Sequence, residues 1–143
     1  MSAVARAFLD SNVLVYMVDH DAPRKRDIAR ALVLDHLGAG SLALSTQVFQ
    51  EFFWTTTRRL EVPLSPAAAR GLAQQLRSAH IVAPSVDMVL AAMGRVEECG
   101  APIWDALILT AAESCGADVL YTEDKHLLRL ESPVRIVDPF VAS

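Results

Sequence analysis

The sequence predicts an α/β fold: a three-layer α/β/α arrangement with a central parallel sheet of about five strands, in one domain spanning 1–143. Three observations predict it. Short apolar runs recur between longer stretches of helical periodicity. Hydrophobic residues make up 52% of the 143 residues and charged ones 21%, enough for a core of ordinary size. Four carboxylates, Asp10, Glu51, Asp105 and Asp124, stand where the predicted elements begin or end, each in a largely apolar stretch.

Ala3 to Leu9 is the first strand, followed by a turn at Asp10, Ser11 and Asn12 and a short helical segment through Tyr16. Pro23 suits the first turn of a helix, where its missing N–H costs nothing. Ile28, Ala29, Leu32, Val33 and Leu37 recur along that helix, and Gly38 and Gly40 end it. Leu42 to Leu44 is the second strand. A helix from about Thr46 to Leu60 follows, with Phe49, Phe52 and Phe53 as its buried stripe. Ser65 and Pro66 open a further helix that turns Ala69, Leu72, Ala73 and Leu76 inward.

His80 to Ala83 is the third strand. Ser85 caps the next helix, with Asp87 favoured by the positive end of its dipole. Val86, Val89, Leu90, Met93 and Val96 supply its core stripe, and Gly100 closes it. Pro102 opens a helix that runs to Cys115 and Gly116. Asp118 to Tyr121 is the fourth strand, Asp124 to Leu130 a short helix, and Val134 to Val137 the last strand. No repeat, low-complexity stretch or linker interrupts the pattern.

Sites in such sheets form beyond the carboxyl ends of the strands, where strand order reverses. Asp10 closes the first strand, Glu51 lies in the helix after the second, and Asp124 follows the fourth. Asp105 is near the start of the helix feeding the fourth strand. That helix runs antiparallel to the strands, so its beginning lies at the same edge. All four acids can therefore converge. Their oxygens suit Mg²⁺ or Mn²⁺ better than a thiolate-loving ion, and carboxylates gathered this closely repel until a cation supplies opposite charge. A metal-dependent enzyme is the leading expectation, with a nuclease as its kind. Asp118, at the opposite edge, is structural.

The net charge of -4 counts against a simple electrostatic nucleic-acid binder. It does not exclude a nuclease whose bound ions neutralise an acidic pocket. Eleven of the 13 basic residues are arginine. Arg24, Lys25 and Arg26 form one cluster with Arg30, and Arg58 with Arg59 forms another. A solvated helix face explains these clusters about as well as phosphate contact does. No apolar run approaches the roughly 20 residues of a membrane span, so no membrane partner is expected. The N-terminus reads as a strand rather than a signal peptide, and a cytoplasmic location is expected. Cys99 and Cys115 lack ligand-like spacing, and the four histidines form no zinc pattern. Trp54 and Trp104 are read mainly as packing or interface residues and Tyr16 as packed, in preference to stacking on a base, which needs an exposed ring.

Four stretches carry a resemblance: FLDSNVLVY from Phe8 to Tyr16, STQVFQEFFWTTTR from Ser45 to Arg58, IWDALILTAA from Ile103 to Ala112, and LYTEDKHL from Leu120 to Leu127. In order and spacing they resemble the PIN-domain family, and within it the VapC-like ribonuclease toxins of bacterial toxin–antitoxin pairs. The family's metal-binding acids fall on Asp10, Glu51, Asp105 and Asp124. Its small polar residue after the fourth strand falls on Thr122, and its Asn beside the first acid falls on Asn12. Ser11 stands where relatives often have Thr, and the segment from Glu61 to Gly100 carries no diagnostic match.

The resemblance implies a Mg²⁺- or Mn²⁺-dependent endoribonuclease that leaves a 5′-phosphate and a 3′-hydroxyl. It also implies a homodimer held inactive by a small antitoxin. Arg24, Lys25, Arg26, Arg58 and Arg59 are the candidate phosphate contacts. Two alternatives stand beside it. One is a PIN-type nuclease in RNA maturation or DNA processing that works without an antitoxin. The other is a non-catalytic interaction domain, which intact acids weigh against.

Overall fold

A computed structural model describes residues 5–141. Five short strands, β1 (Ala7–Leu9), β2 (Leu42–Ser45), β3 (His80–Val82), β4 (Val119–Tyr121) and β5 (Arg135–Val137), pair in parallel in the order β3-β2-β1-β4-β5. The helices are α1 (Ser11–Tyr16), α2 (Pro23–Ala39), α3 (Thr46–Arg58), α4 (Pro66–Gln75), α5 (Val86–Cys99), α6 (Ile103–Ser114) and α7 (Lys125–Leu128). Right-handed crossovers assign α1 to α4 to one face of the sheet and α5 to α7 to the other. Packing follows that division: α1 meets α2 and α3, α3 meets α4, and α6 meets α5 and α7. The fold is thus the expected three-layer α/β/α arrangement.

Local chemistry fixes where the helices begin and end. The Ser45, Ser65 and Ser85 hydroxyls accept from the backbone N–H groups of Val48, Ala68 and Met88. Each such cap is worth about 1 kcal/mol. Gly40 ends α2 and Gly100 ends α5 at φ of 70° and 71°, left-handed conformations that a Cβ would strain. The central strand has no solvent face. Ala7, Phe8 and Leu9 are all fully buried, as expected of a parallel strand covered by helices on both sides.

Element bounds shift by a few residues. The first strand is confined to Ala7–Leu9 among the described residues, and its expected start at Ala3 lies outside them. The helix after the fourth strand spans Lys125–Leu128, with Asp124 as its N-cap rather than its first member. Among the described residues no helix is long and apolar enough to cross a membrane.

Two predicted stripes are corrected. On α5, Val86, Leu90 and Met93 are exposed by 76%, 55% and 49%, whereas Ala92 is fully buried and Met88 packs against the core. Each exposed residue precedes Met88, Ala92 or Arg95 by two positions, about 200° round the helix. Small Ala92 allows close approach to the alanine-rich α6. Arg95 then fixes the rotation by a bidentate bond to Glu113 of α6, at 2.8 and 2.9 Å. On α3 the buried line is Val48, Phe52 and Thr56, at i, i+4 and i+8. Phe53, one position off that line, is exposed. Trp54 and Trp104 do not pack in the core either, being 50% and 63% exposed.

Candidate active site

Strand order reverses between β1 and β4, which pair with Leu9 opposite Tyr121. One residue beyond that pair, the chain places Asp10 and Thr122, both buried. Thr122 Oγ1 donates to Asp10 Oδ2 at 2.8 Å and accepts from Asn12 Nδ2 at 3.2 Å and from the Asp124 backbone N–H at 3.0 Å. A hydroxyl has one proton and two lone pairs, so this one is fully used. Asp10 Oδ1 accepts from the Ser11 N–H at 2.7 Å, and Oδ2 also accepts from Asn12 Nδ2 at 3.3 Å. Asp10 thereby caps α1 while its carboxylate is pinned at the sheet edge.

The other acids arrive on helix starts. Asp124 Oδ1 accepts from the His126 and Leu127 N–H groups at 2.8 and 3.1 Å, which anchors its carboxylate at the start of α7. Glu51 lies one turn into α3, half-buried. On the same helix Gln47 Nε2 donates to Trp104 O at 3.1 Å, tying α3 to the first turn of α6, where Asp105 sits.

Electrostatics show that these groups share one environment. Burial pushes the Asp10 carboxyl up to about 7, with Glu51 and Asp124 adding to the rise and the bonds from Thr122 and Ser11 opposing it. Asp105 rises to about 6, first through burial, then through the charges of Asp124 and Glu51, against His126. Burial raises Glu51 as well, with Ser11 and Gln47 acting the other way. Among the described residues no three acidic, histidine or cysteine side chains form a ready-made cage for an ion. What the four acids share is one edge and one field. The donor set fits a hard divalent cation in its chemistry, being all oxygen and mutually repulsive. One further oxygen is open: Asn12 Oδ1 is buried and has no hydrogen-bond partner among the described residues.

The basic candidates separate. Arg59 lines a cleft of about 280 Å³ together with Ser11, Asn12 and Glu123, beside the acids. Arg58 lays its guanidinium 4.0 Å from the centre of the Trp54 ring. Lys25 Nζ donates to Glu123 Oε2 at 2.9 Å and stands 4.9 Å from the Tyr16 ring centre. Arg24 donates to the Phe140 carbonyl at 2.7 Å, and Arg26 pairs with its neighbour Asp27 at 3.4 Å. Asp118 has the structural role expected of it, accepting from the Arg6 N–H at 2.7 Å at the far edge.

Tyr16, expected from the sequence to be a packing residue, also reaches the acid beside Thr122. The Tyr16 hydroxyl donates to Glu123 Oε1, so with Lys25 the three form one network, of which Tyr16 and Glu123 line the Asn12 cleft. The usable signal was helical spacing, because Tyr16 follows Asn12 by four residues and lies on the same face of α1. A partly exposed ion pair such as Lys25–Glu123 contributes only about 0–1 kcal/mol. Its effect is therefore to orient Glu123 rather than to hold the fold.

Residues 7–132 match the sequence model of the PIN domain. No curated protein sequence matches the chain. Among solved structures, a toxin–antitoxin complex from Klebsiella pneumoniae is similar at a TM-score of 0.66 and 19% identity, over 93% of this chain and 97% of that one. VapC20 of Mycobacterium tuberculosis, described as a sarcin–ricin loop cleaving toxin, gives 0.66 and 16% over 90% and 98%. DNA-bound VapBC from Salmonella typhimurium gives 0.67 and 15% over 95% and 99%. At these identities the likeness establishes a shared fold.

Proposed function

The chain belongs to the PIN-domain family, and on that premise we propose that it is a divalent-metal-dependent endoribonuclease, the toxin of a toxin–antitoxin pair. The observation that carries this reading is the set of four acids from four separate segments at the point where strand order reverses. Burial and mutual repulsion raise the Asp10 and Asp105 carboxyls there. An isolated structural acid has no need of three others, and the fold has many solvated positions where charge costs less.

Asp10, Glu51, Asp105 and Asp124 hold Mg²⁺ or Mn²⁺ in this reading. When bound, such an ion activates water and stabilises negative charge developing on the phosphoryl group. Thr122 and Asn12 are positioning residues. Thr122 aims one oxygen of Asp10 and fixes the backbone at Asp124, and the Asn12 amide holds the same oxygen from the other side. Arg59 and Arg58 meet flanking phosphates in this reading, which the opening of Arg59 onto the cleft beside Asn12 supports. Arg24 is committed to Phe140 and serves the fold.

The toxin reading is supported by similar structures described as toxin–antitoxin or VapBC assemblies. The reading includes a cognate antitoxin and a homodimer. The outward Val86, Leu90 and Met93 of α5 offer the apolar area that contact with an antitoxin needs.

Incubation with a mixed RNA pool, with Mg²⁺ or Mn²⁺ and separately with EDTA, followed by end mapping, tests the activity. Metal-dependent cuts leaving a 5′-phosphate and a 3′-hydroxyl are expected. Cleavage that persists undiminished in EDTA, or in both Asp10→Asn and Asp105→Asn, rules the reading out.

A further inference from the structure

The chain contains two tryptophans. Both lie exposed on the wall of one cleft of about 660 Å³, within the roughly 300–1,000 Å³ typical of ligand sites. Trp54 comes from α3 and Trp104 from the first turn of α6, and Glu51 shares the cleft surface with them, as do Gln47 and Gln50. The two walls are held in relation to each other, because Gln47 donates to the Trp104 carbonyl. Trp54 is still half-exposed with the Arg58 guanidinium against its ring. Aromatic residues make up only 6% of the chain, so composition alone does not place both indoles at one acid.

The groups at this cleft call for flat apolar faces against the indoles, hydrogen-bonding edges for the amides of Gln47 and Gln50, and negative charge for Arg58, which lies off the cleft wall against the Trp54 ring. An apolar peptide helix meets only the first need and would bury Glu51, Gln47 and Gln50 without partners, at a cost in desolvation. An unpaired nucleotide meets all three: its base has π-faces and polar edges, and its phosphate suits the guanidinium. A base inside a duplex is already stacked on both sides and cannot.

We infer that Trp54 and Trp104 form a base-stacking clamp that seats one unpaired nucleotide of the substrate strand against Glu51, with Arg58 on its phosphate. This rests on the nuclease reading above. The clamp makes the cut site depend on an unstacked base next to the scissile bond, and it gives α3 and α6 a joint role in choosing that site.

Because every tryptophan lies in this cleft, intrinsic fluorescence reports on the clamp directly. The protein carrying Asp10→Asn, so that the strand survives, is titrated with three probes. These are a single-stranded oligoribonucleotide, the same strand annealed to its complement, and an abasic strand of equal length. The single strand should quench the emission and bind at least about tenfold more tightly than either control. Trp54→Leu and Trp104→Leu should each weaken binding by about tenfold and, with Asp10 intact, lower kcat/KM on single-stranded RNA. Trp54→Phe and Trp104→Phe, which keep an aromatic face, should retain most of both.

Equal quenching by the abasic strand overturns the clamp, as does wild-type cleavage by both Leu variants, and the nuclease reading survives either result. Indoles that respond to a partner protein or to self-association, but not to RNA, assign the cleft to a protein contact and overturn it too. A wild-type protein that neither binds nor cleaves any RNA overturns the clamp and the nuclease reading together.

Discussion

Thr122 donates its only hydroxyl proton to Asp10 Oδ2, 2.8 Å away, across the gap between the two strands where sheet order reverses. The two residues are 112 positions apart in sequence, yet each is one step past a paired strand residue, Tyr121 and Leu9. Parallel pairing of β1 with β4 therefore sets the geometry of the acid before any ligand is considered. The same hydroxyl accepts from Asn12 and from the Asp124 N–H, so one small side chain ties together two of the four segments that build the site.

Thr122→Val should consequently cost more than a methyl-for-hydroxyl exchange on the surface. It leaves the part-buried Asp124 N–H and the Asn12 amide short of an acceptor and the buried Asp10 short of a donor, a loss of about 1–3 kcal/mol. Urea denaturation of the variant should show that loss, and its RNA cleavage at pH 7 should fall at least tenfold. Thr122→Ser keeps the hydroxyl and should keep most of both. A Val variant as stable and active as wild type contradicts the role assigned to the hydroxyl.

Metal-free stability should fall as pH rises from about 4 to about 7. Asp10 has an ordinary carboxyl pKa of 3.8 and stands near 7 in the fold because burial favours its neutral form. Between those values the folded chain holds a proton the unfolded chain has released, so the contribution is present at low pH and lost through that window. Asp105, raised to about 6, acts in the same direction. Urea midpoints in EDTA at pH 5 and pH 8 measure this, and the drop should shrink in Asp10→Asn. Saturating Mn²⁺ should reduce it as well, since metal favours the ionised acids. A pH response identical in wild type and Asp10→Asn contradicts the account.

Arg59→Ala and Arg24→Ala should behave differently although the sequence presents both as members of basic clusters. Arg59 opens onto the cleft beside Asn12, whereas Arg24 is bonded to the Phe140 carbonyl. Filter binding over a range of salt should show Arg59→Ala binding RNA more weakly, with a salt slope smaller by about one. Arg24→Ala should leave the slope unchanged and lower the melting temperature. The reverse pattern would exchange their roles.

Much of this was legible in the sequence. Asp10, Asp105 and Asp124 could be placed at the carboxyl edge because each adjoins a recognisable strand or helix start, and a parallel α/β sheet has one such edge. Periodicity was less informative where a helix is apolar on two sides. Along α5, Val86, Leu90 and Met93 repeat as regularly as Met88 and Ala92. Only the small size of Ala92 and the Arg95–Glu113 bond decide which line faces α6. Phe53 differs for a related reason: with Phe49 and Phe52 it makes a regular i, i+3, i+4 stripe about 100° wide, but the core centres on Val48, Phe52 and Thr56 and leaves the Phe53 edge outside. The tryptophan pair was not legible at all, since 50 residues separate Trp54 from Trp104 and nothing local signals a shared cleft.

The most direct measurement is a calorimetric titration of Mn²⁺ into the protein at pH 8, where Asp10 and Asp105 are ionised. Wild type should bind with a saturable isotherm. Asp10→Asn and Asp105→Asn should each abolish it, and Glu51→Gln and Asp124→Asn should each weaken it. If all four variants take up Mn²⁺ as wild type does, the acids at the edge of this sheet are not a metal centre.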